Sequence, residues 1–224
     1  MLHLIPFHKI PNFVEKFKKG IGGQISVLLY YLMSYLEKQY IETLSNWTDI
    51  QKHMPLLREY ATKCDHITEL GTDDGTSTWA FLSGLPKVLH TYDIAPCPNE
   101  ISLKLASEEN NIQFYFHREN TLEVEIEPTD LLFIDSLHTY TQVFSELNLH
   151  ADKVSKYIIA HDINMFGRQG GGGTLEQIST CPHYLTKGVL DAVEEFLDKT
   201  KNWEIVYKDL EDPYGLIILK RLDN

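Results

Sequence analysis

From residue 66 to the end of the chain, short apolar runs alternate with longer amphipathic stretches. His66–Leu70, Val88–Tyr92, Ile112–Phe116, Asp130–Ile134 and Lys156–Ala160 read as strands, each bounded by turn-forming or polar residues. Thr76–Ser83, Asn99–Glu109, Tyr140–Asp152 and Lys187–Thr200 read as the intervening helices. That rhythm predicts an α/β fold built on a mostly parallel sheet with helices on both faces. Two closing strands, Trp203–Lys208 and Leu216–Lys220, are joined by Glu211-Asp212-Pro213-Tyr214-Gly215. The link is short enough for a hairpin, which makes one edge strand antiparallel.

Residues 1–60 read differently, as an N-terminal helical extension to a sheet domain spanning 61–224. Phe13, Val14 and Phe17 recur at helical spacing, as do Leu29, Leu32, Met33 and Leu36, with Gly20, Gly22 and Gly23 between the segments. Ile50 to Lys63 predicts one more helix. The extension is rich in Leu and Tyr and is expected to cover a cofactor mouth or to form a homo-oligomer face. The apolar run Ile25–Leu36 is too short to span a bilayer. Lys16, Lys18 and Lys19 precede it as in a secretion signal, but Glu37-Lys38-Gln39 follows where a small-residue cleavage site belongs, so it reads as a packed helix.

With 224 residues, 43% of them hydrophobic and 23% charged, the chain suits one domain with an appendage. Its net charge of −12 repels phosphate backbones and anionic lipid, so neither nucleic acid nor a membrane is the expected partner. Cys64, Cys97 and Cys181 are odd in number and far apart in sequence, the pattern of free thiols in a reducing, cytoplasmic compartment.

The chemistry gathers at strand ends. Glu69, Asp93, Asp135, His161 and Asp162 all fall at predicted carboxyl termini, the rim where open α/β sheets bind ligands. The first strand runs into Glu69-Leu70-Gly71-Thr72-Asp73-Asp74-Gly75-Thr76-Ser77. Two glycines let a turn pass close to a bound nucleoside, and a helix N-terminus follows. The second glycine of a dinucleotide fingerprint is missing, however, and Asp73 and Asp74 would repel a pyrophosphate. A neutral or cationic nucleoside fits better, and S-adenosylmethionine carries a sulfonium and no phosphate. Asp93, about 20 residues on, is placed to accept ribose hydroxyls, and Glu119-Asn120 is placed to approach the adenine.

The motifs E-L-G-T-x-x-G-x-S, T-Y-D, L-F-I-D-S-L-H-T-Y and I-I-A-H-D resemble class I S-adenosylmethionine-dependent methyltransferases. The resemblance is narrower to the branch holding cephalosporin-hydroxylase-like and macrolide-sugar O-methyltransferase-like proteins, and it covers residues 66–220. It implies a Rossmann-like seven-stranded sheet with the last strand antiparallel. It also implies a cofactor loop made by Glu69, Gly71, Thr72, Gly75 and Ser77, Asp93 on the ribose, Asp135 beside the methionine end or a metal, and His138 as general base. Two departures stand out. Lys153-Val154-Ser155-Lys156 replaces the usual Pro-Gly-Gly-like turn before strand five. His161 stands where metal-using members place an acid or amide.

Methyl transfer to oxygen needs in-line positioning and a destination for the hydroxyl proton. His138 follows Asp135 by three residues and, as an imidazole, titrates near pH ~6.5 when unperturbed. Asp135, His161 and Asp162 form either a divalent metal site (Mg2+, Mn2+ or similar) or a set of mutual hydrogen bonds. Gly170–Gly173 read as a mobile lid, and Cys181-Pro182-His183-Tyr184 as its closing segment. The expected activity is S-adenosylmethionine-dependent O-methylation of a small polar acceptor such as a sugar. The competing readings are a nicotinamide-dependent oxidoreductase and a non-catalytic module that kept the fold.

Overall fold

The computed structural model describes residues 30, 33–171, 174, 179 and 181–222. Its strands are β1 (His66–Leu70), β2 (Val88–Tyr92), β3 (Gln113–His117), β4 (Thr129–Ile134), β5 (Val154–His161), β6 (Trp203–Asp209) and β7 (Leu216–Arg221). The helices used below are α1 (Tyr35–Ser45), α2 (Met54–Ala61), α3 (Thr76–Ser83), α4 (Glu100–Glu109), α5 (Tyr140–His150) and α6 (Val189–Lys199). The expected helix around Phe13–Phe17 lies outside the described residues, as do Leu29, Leu32, Gly172 and Gly173; of the second expected helix, Met33 is not helical and Leu36 falls in α1. No helix among the described residues is long and apolar enough to cross a membrane.

One seven-stranded sheet has the order β3-β2-β1-β4-β5-β7-β6. β1 to β5 are parallel, while β7 runs antiparallel to both β5 and β6. The last strand is antiparallel and pairs with β6 as expected, but it lies inside the sheet and not at its edge. Leu216, Ile217, Ile218 and Leu219 are all buried, and so uniform an apolar run belongs inside a sheet. β6, exposed from Glu204 to Tyr207, takes the edge instead.

Each face of the sheet carries its own core. Ile67, Leu89, Leu131 and Phe133 pack with α1, α2, α3 and α4 on one face. Leu70, Leu132, Ile134 and Ile158 pack with α5 and α6 on the other. α1 belongs to the first core, since Leu36 and Tyr40 are buried there and Tyr35 meets Trp79 edge-on. Arg58 of α2 clamps it with two bonds to the Glu37 carboxylate, at 3.0 and 2.9 Å. The predicted helix over Ile50–Lys63 is in fact a 3-10 turn, Gln51–His53, followed by α2. Pro55 lacks an N–H and sits in the first turn of α2, where none is needed.

The order of the strands sets the site. β1 is flanked by β2 on one side and β4 on the other, so the crossovers leave it in opposite directions. A crevice opens at the carboxyl ends there, as in other doubly wound sheets.

Candidate active site

Gly71 ends β1 in a left-handed conformation, φ +94°, and its N–H donates to the Tyr92 carbonyl at 2.9 Å. A Cβ at this position would collide with the backbone carbonyl of Asp135 at the end of β4. Only glycine lets the two strand ends close to this distance. Gly75, φ +87°, caps α3, and a Cβ on it would press the Leu103 side chain.

Polar bonds fix the rest of the loop. Glu69, fully buried, accepts from Ser77 Oγ at 2.5 Å and Thr78 Oγ1 at 2.7 Å, tying β1 to the first turn of α3. Burial raises its pKa to about 7, although the two hydroxyls oppose that shift. Asp93 Oδ2 accepts from the Thr72 and Asp73 amides, both at 3.0 Å, and Oδ1 from the Ala95 amide at 2.8 Å. Asp74 Oδ1 takes the Thr76 amide and hydroxyl, so the N-terminus of α3 is already served by a carboxylate.

A cavity of about 650 Å³ lies over this loop, within the usual size of small-ligand pockets. Gly71, Thr72, Ser77, Asp93, Glu119, Asn120, Asp135 and His138 line it. Glu69 and Gly75 stand behind the wall rather than on it, because both spend their geometry on shaping the turn; His161 and Asp162 likewise do not line it. Asn120 turns inward on its own loop, accepting from the Leu122 amide at 3.1 Å and donating to Glu123 at 2.8 Å.

At the floor, four side chains from two strand ends meet. His138 Nε2 lies 2.9 Å from Asp162 Oδ2 and 3.3 Å from Asp135 Oδ1. His161 Nδ1 lies 3.3 Å from the same Asp135 oxygen and 3.7 Å from Asp162 Oδ2. Burial disfavours the imidazolium at His138, but hydrogen bonding to Asp135 and Asp162 outweighs it and lifts its pKa to about 10. At His161 the charge of Asp135 likewise overcomes burial and raises the pKa. Burial would raise the Asp135 pKa, yet His161 and His138 pull it below the ordinary carboxylate value. The structure thus replaces the unperturbed imidazole expected at 138 with a charged one. Phe166 stacks on its ring, centroids 5.0 Å apart, and the His138 carbonyl takes the Gly171 amide at 2.8 Å.

Asp135, His161 and Asp162 each present a ligand atom within 4.8 Å of the others. Asp162 is fully buried at φ +62°, and neither of its carboxylate oxygens finds a well-directed hydrogen bond. Its charge is answered by His138 at 2.9 Å and His161 at 3.7 Å, yet carboxylate lone pairs stay unfilled, and two carboxylates with one imidazole fit a divalent cation.

Several contributors carried no sequence signal. Thr48, Asp49 and Ile50, ahead of α2, form part of the cavity wall; Cys181, from the segment read as closing the lid, lines it too. Glu146, fully buried on α5, accepts from Ser136, Thr121 and Gln142 and so anchors the residue after Asp135. His53 is buried edge-on to His161, with Nε2 3.3 Å from Asp209. Arg168, beside the glycine run, is held by Asp191 and Glu194 on α6.

No protein-family model and no curated protein sequence matches the chain. Among solved structures it is similar to an O-methyltransferase from Bacillus cereus in complex with SAH, at TM-score 0.56 and 14% identity over 95% of this chain and 99% of that one. It is also similar to the O-methyltransferase TomG from Streptomyces achromogenes, in complex with SAM, at TM-score 0.55 and 15% identity over 88% and 95%. A third, the SAH-bound methyltransferase PaMTH1 of Podospora anserina, superposes at TM-score 0.51 and 15% identity over the full length of both chains. At these identities what is shared is the fold, the Rossmann-like fold of class I methyltransferases.

Proposed function

We propose that the chain is an S-adenosylmethionine-dependent methyltransferase that methylates a hydroxyl of a small polar acceptor, a sugar hydroxyl being one such group. The charge of the cavity carries this reading. Asp49, Asp73, Asp74, Asp93, Glu119 and Asp135 face it, and no lysine or arginine is among the described residues that line it. A diphosphate would meet like charge along most of the wall, His138 being the one cationic group among the described lining residues, whereas a sulfonium would be attracted. The N-terminus of α3, the customary anion site of this fold, is already occupied by Asp74. The SAM and SAH bound to structurally similar proteins support the same ligand class.

In this reading the Gly71–Thr72 backbone passes under the nucleoside and Asp93 offers its remaining lone pairs to the ribose. Ile94, Leu122, Glu119 and Asn120 surround the base. Asp135, His161 and Asp162 would hold a divalent cation, which when bound would supply acidification of a coordinated acceptor hydroxyl. His138, at the mouth of that cluster, takes the hydroxyl proton on Nδ1 once that nitrogen has lost its own, because Nε2 is directed at Asp135 and Asp162. Asp135 and Asp162 keep its ring oriented toward the cavity floor, and stacked Phe166 shields it from water.

The test is ligand-dependent thermal stability of the full-length chain, because a ligand that binds only the folded state raises its melting temperature. S-adenosylmethionine and S-adenosylhomocysteine are expected to raise it, and NAD to leave it unchanged. A rise with NAD and none with the two sulfur nucleosides would overturn the reading.

A further inference from the structure

A second group of metal-ligating side chains lies at the other end of the sheet. His66, His90 and Glu127 place one ligand atom each within 4.8 Å of one another. His66 opens β1 and is paired with Val88, the residue two before His90, so the two imidazoles share a face of adjacent parallel strands. Their ring centroids are 5.2 Å apart. Asp135 follows the far end of β4, which pairs with Leu70, so about 13 Å of strand separates the two clusters.

The face itself is unusual. The β3–β4 connection, residues 118–128, forms no helix, so this corner lacks the helical cover found elsewhere on the sheet. Where period-two alternation would put apolar side chains, it carries His66, His90, Tyr115 and His117. Tyr115 stays 45% exposed, while His90 is only 8% exposed.

Hydrogen bonding leaves this cluster unfinished. His66 Nε2 is buried and has no hydrogen-bond partner, which is costly for an imidazole nitrogen. His90 Nδ1 is engaged by His117 Nε2 at 2.9 Å, which leaves Nε2 as its free donor. His117 Nδ1 in turn lies 3.9 Å from the Glu119 carboxylate. A ligating imidazole whose second nitrogen is held by an outer partner, itself oriented by a carboxylate, is the usual arrangement around bound metals.

We propose that His66, His90 and Glu127 form a transition-metal site of the Zn2+ class, with His117 as the outer partner that orients His90. Two imidazoles and one carboxylate suit zinc and its neighbours rather than Mg2+ or Ca2+, and three protein ligands leave a position for water. Burial lowers the pKa of His66 and of His90, which favours the neutral imidazole that ligates a metal.

The experiment is zinc binding by equilibrium dialysis on the full-length chain carrying Asp135→Asn, which disables the cluster at the cavity floor. That chain is expected to retain one zinc ion, and its Co2+ form to show the absorption of mixed nitrogen and oxygen ligation. Adding His66→Gln should remove the bound ion, and adding His117→Phe should weaken binding about 10–100-fold, with circular dichroism unchanged in both. The proposal is overturned if Asp135→Asn retains no zinc, or if His66→Gln leaves the affinity where it was in a folded chain.

Discussion

His138 Nε2 lies 2.9 Å from Asp162 Oδ2 and 3.3 Å from Asp135 Oδ1, so one imidazole bridges two carboxylates at the cavity floor. An imidazolium there balances their charge, and a proton held that way is not free to be exchanged for one from an acceptor.

Activity should therefore depend on pH and on divalent cations together. The His138 pKa is raised from 6.5 to about 10, against the pull of burial, by its bonds to Asp135 and Asp162. At pH 7 only about one molecule in a thousand then carries the neutral ring, and each pH unit towards 10 raises that fraction about tenfold. With chelator present, turnover is expected to climb steeply between pH 7 and 9. With Mg2+ or Mn2+ present, the profile should move to lower pH, since a cation on the same carboxylates competes with the imidazolium charge. His138→Ala should cost about 10²–10⁴ in turnover while S-adenosylhomocysteine still binds. Normal turnover by that variant would remove His138 from the chemistry.

Gly71→Ala tests the contact between the first strand end and β4. The position has φ +94°, and a Cβ would strike the Asp135 carbonyl, so either the loop or Asp135 must move. Left-handed strain alone costs roughly 1–3 kcal/mol, and the collision adds to it. In a chain of this size each kcal/mol lowers the melting temperature by about 2–4 °C. The expected drop is at least about 4 °C, together with weaker S-adenosylhomocysteine binding by calorimetry. An unchanged melting temperature would mean that the turn relaxes without disturbing β4.

Much of this was legible in the chain because local chemistry decided it. Leu131-Leu132-Phe133-Ile134 could only be a strand buried on both faces, and Gly71 between an apolar strand and a hydroxyl-rich helix start could only be a tight turn. The hairpin was legible, but the place of β7 was not, because strand order is set by which surfaces find each other across the fold. The rim residues were found as positions, yet their roles divided by burial. Glu69 and Asp93 look alike in sequence, but one lies wholly beneath the loop and the other faces the cavity. His53, Glu146 and Thr48–Ile50 sit near the site only through long-range packing, and nothing in their immediate neighbours marks them. The charge state of His138 was illegible for the same reason, since Asp162 is distant in sequence and next to it in space.

Glu69 offers the sharpest check of electrostatics inside the fold. Its side chain is fully buried, and desolvation, only partly offset by Ser77 and Thr78, lifts its pKa from 4.5 to about 7. A raised folded-state pKa means that the native chain binds this proton more tightly than the unfolded one. The contribution is fully present below about pH 4.5 and is lost as pH rises through 7, a change on the order of 3 kcal/mol. Glu69→Gln keeps a carbonyl for one of the two hydroxyls but does not titrate. The difference in melting temperature, native minus variant, is therefore expected to fall steadily from pH 5 to pH 8. His138 titrates higher and is common to both chains, so it cancels from the comparison. A difference that stays flat across that range would show that Glu69 is ionised throughout, with Ser77, Thr78 and the turn around Gly71 supplying enough polarity to hold a buried charge.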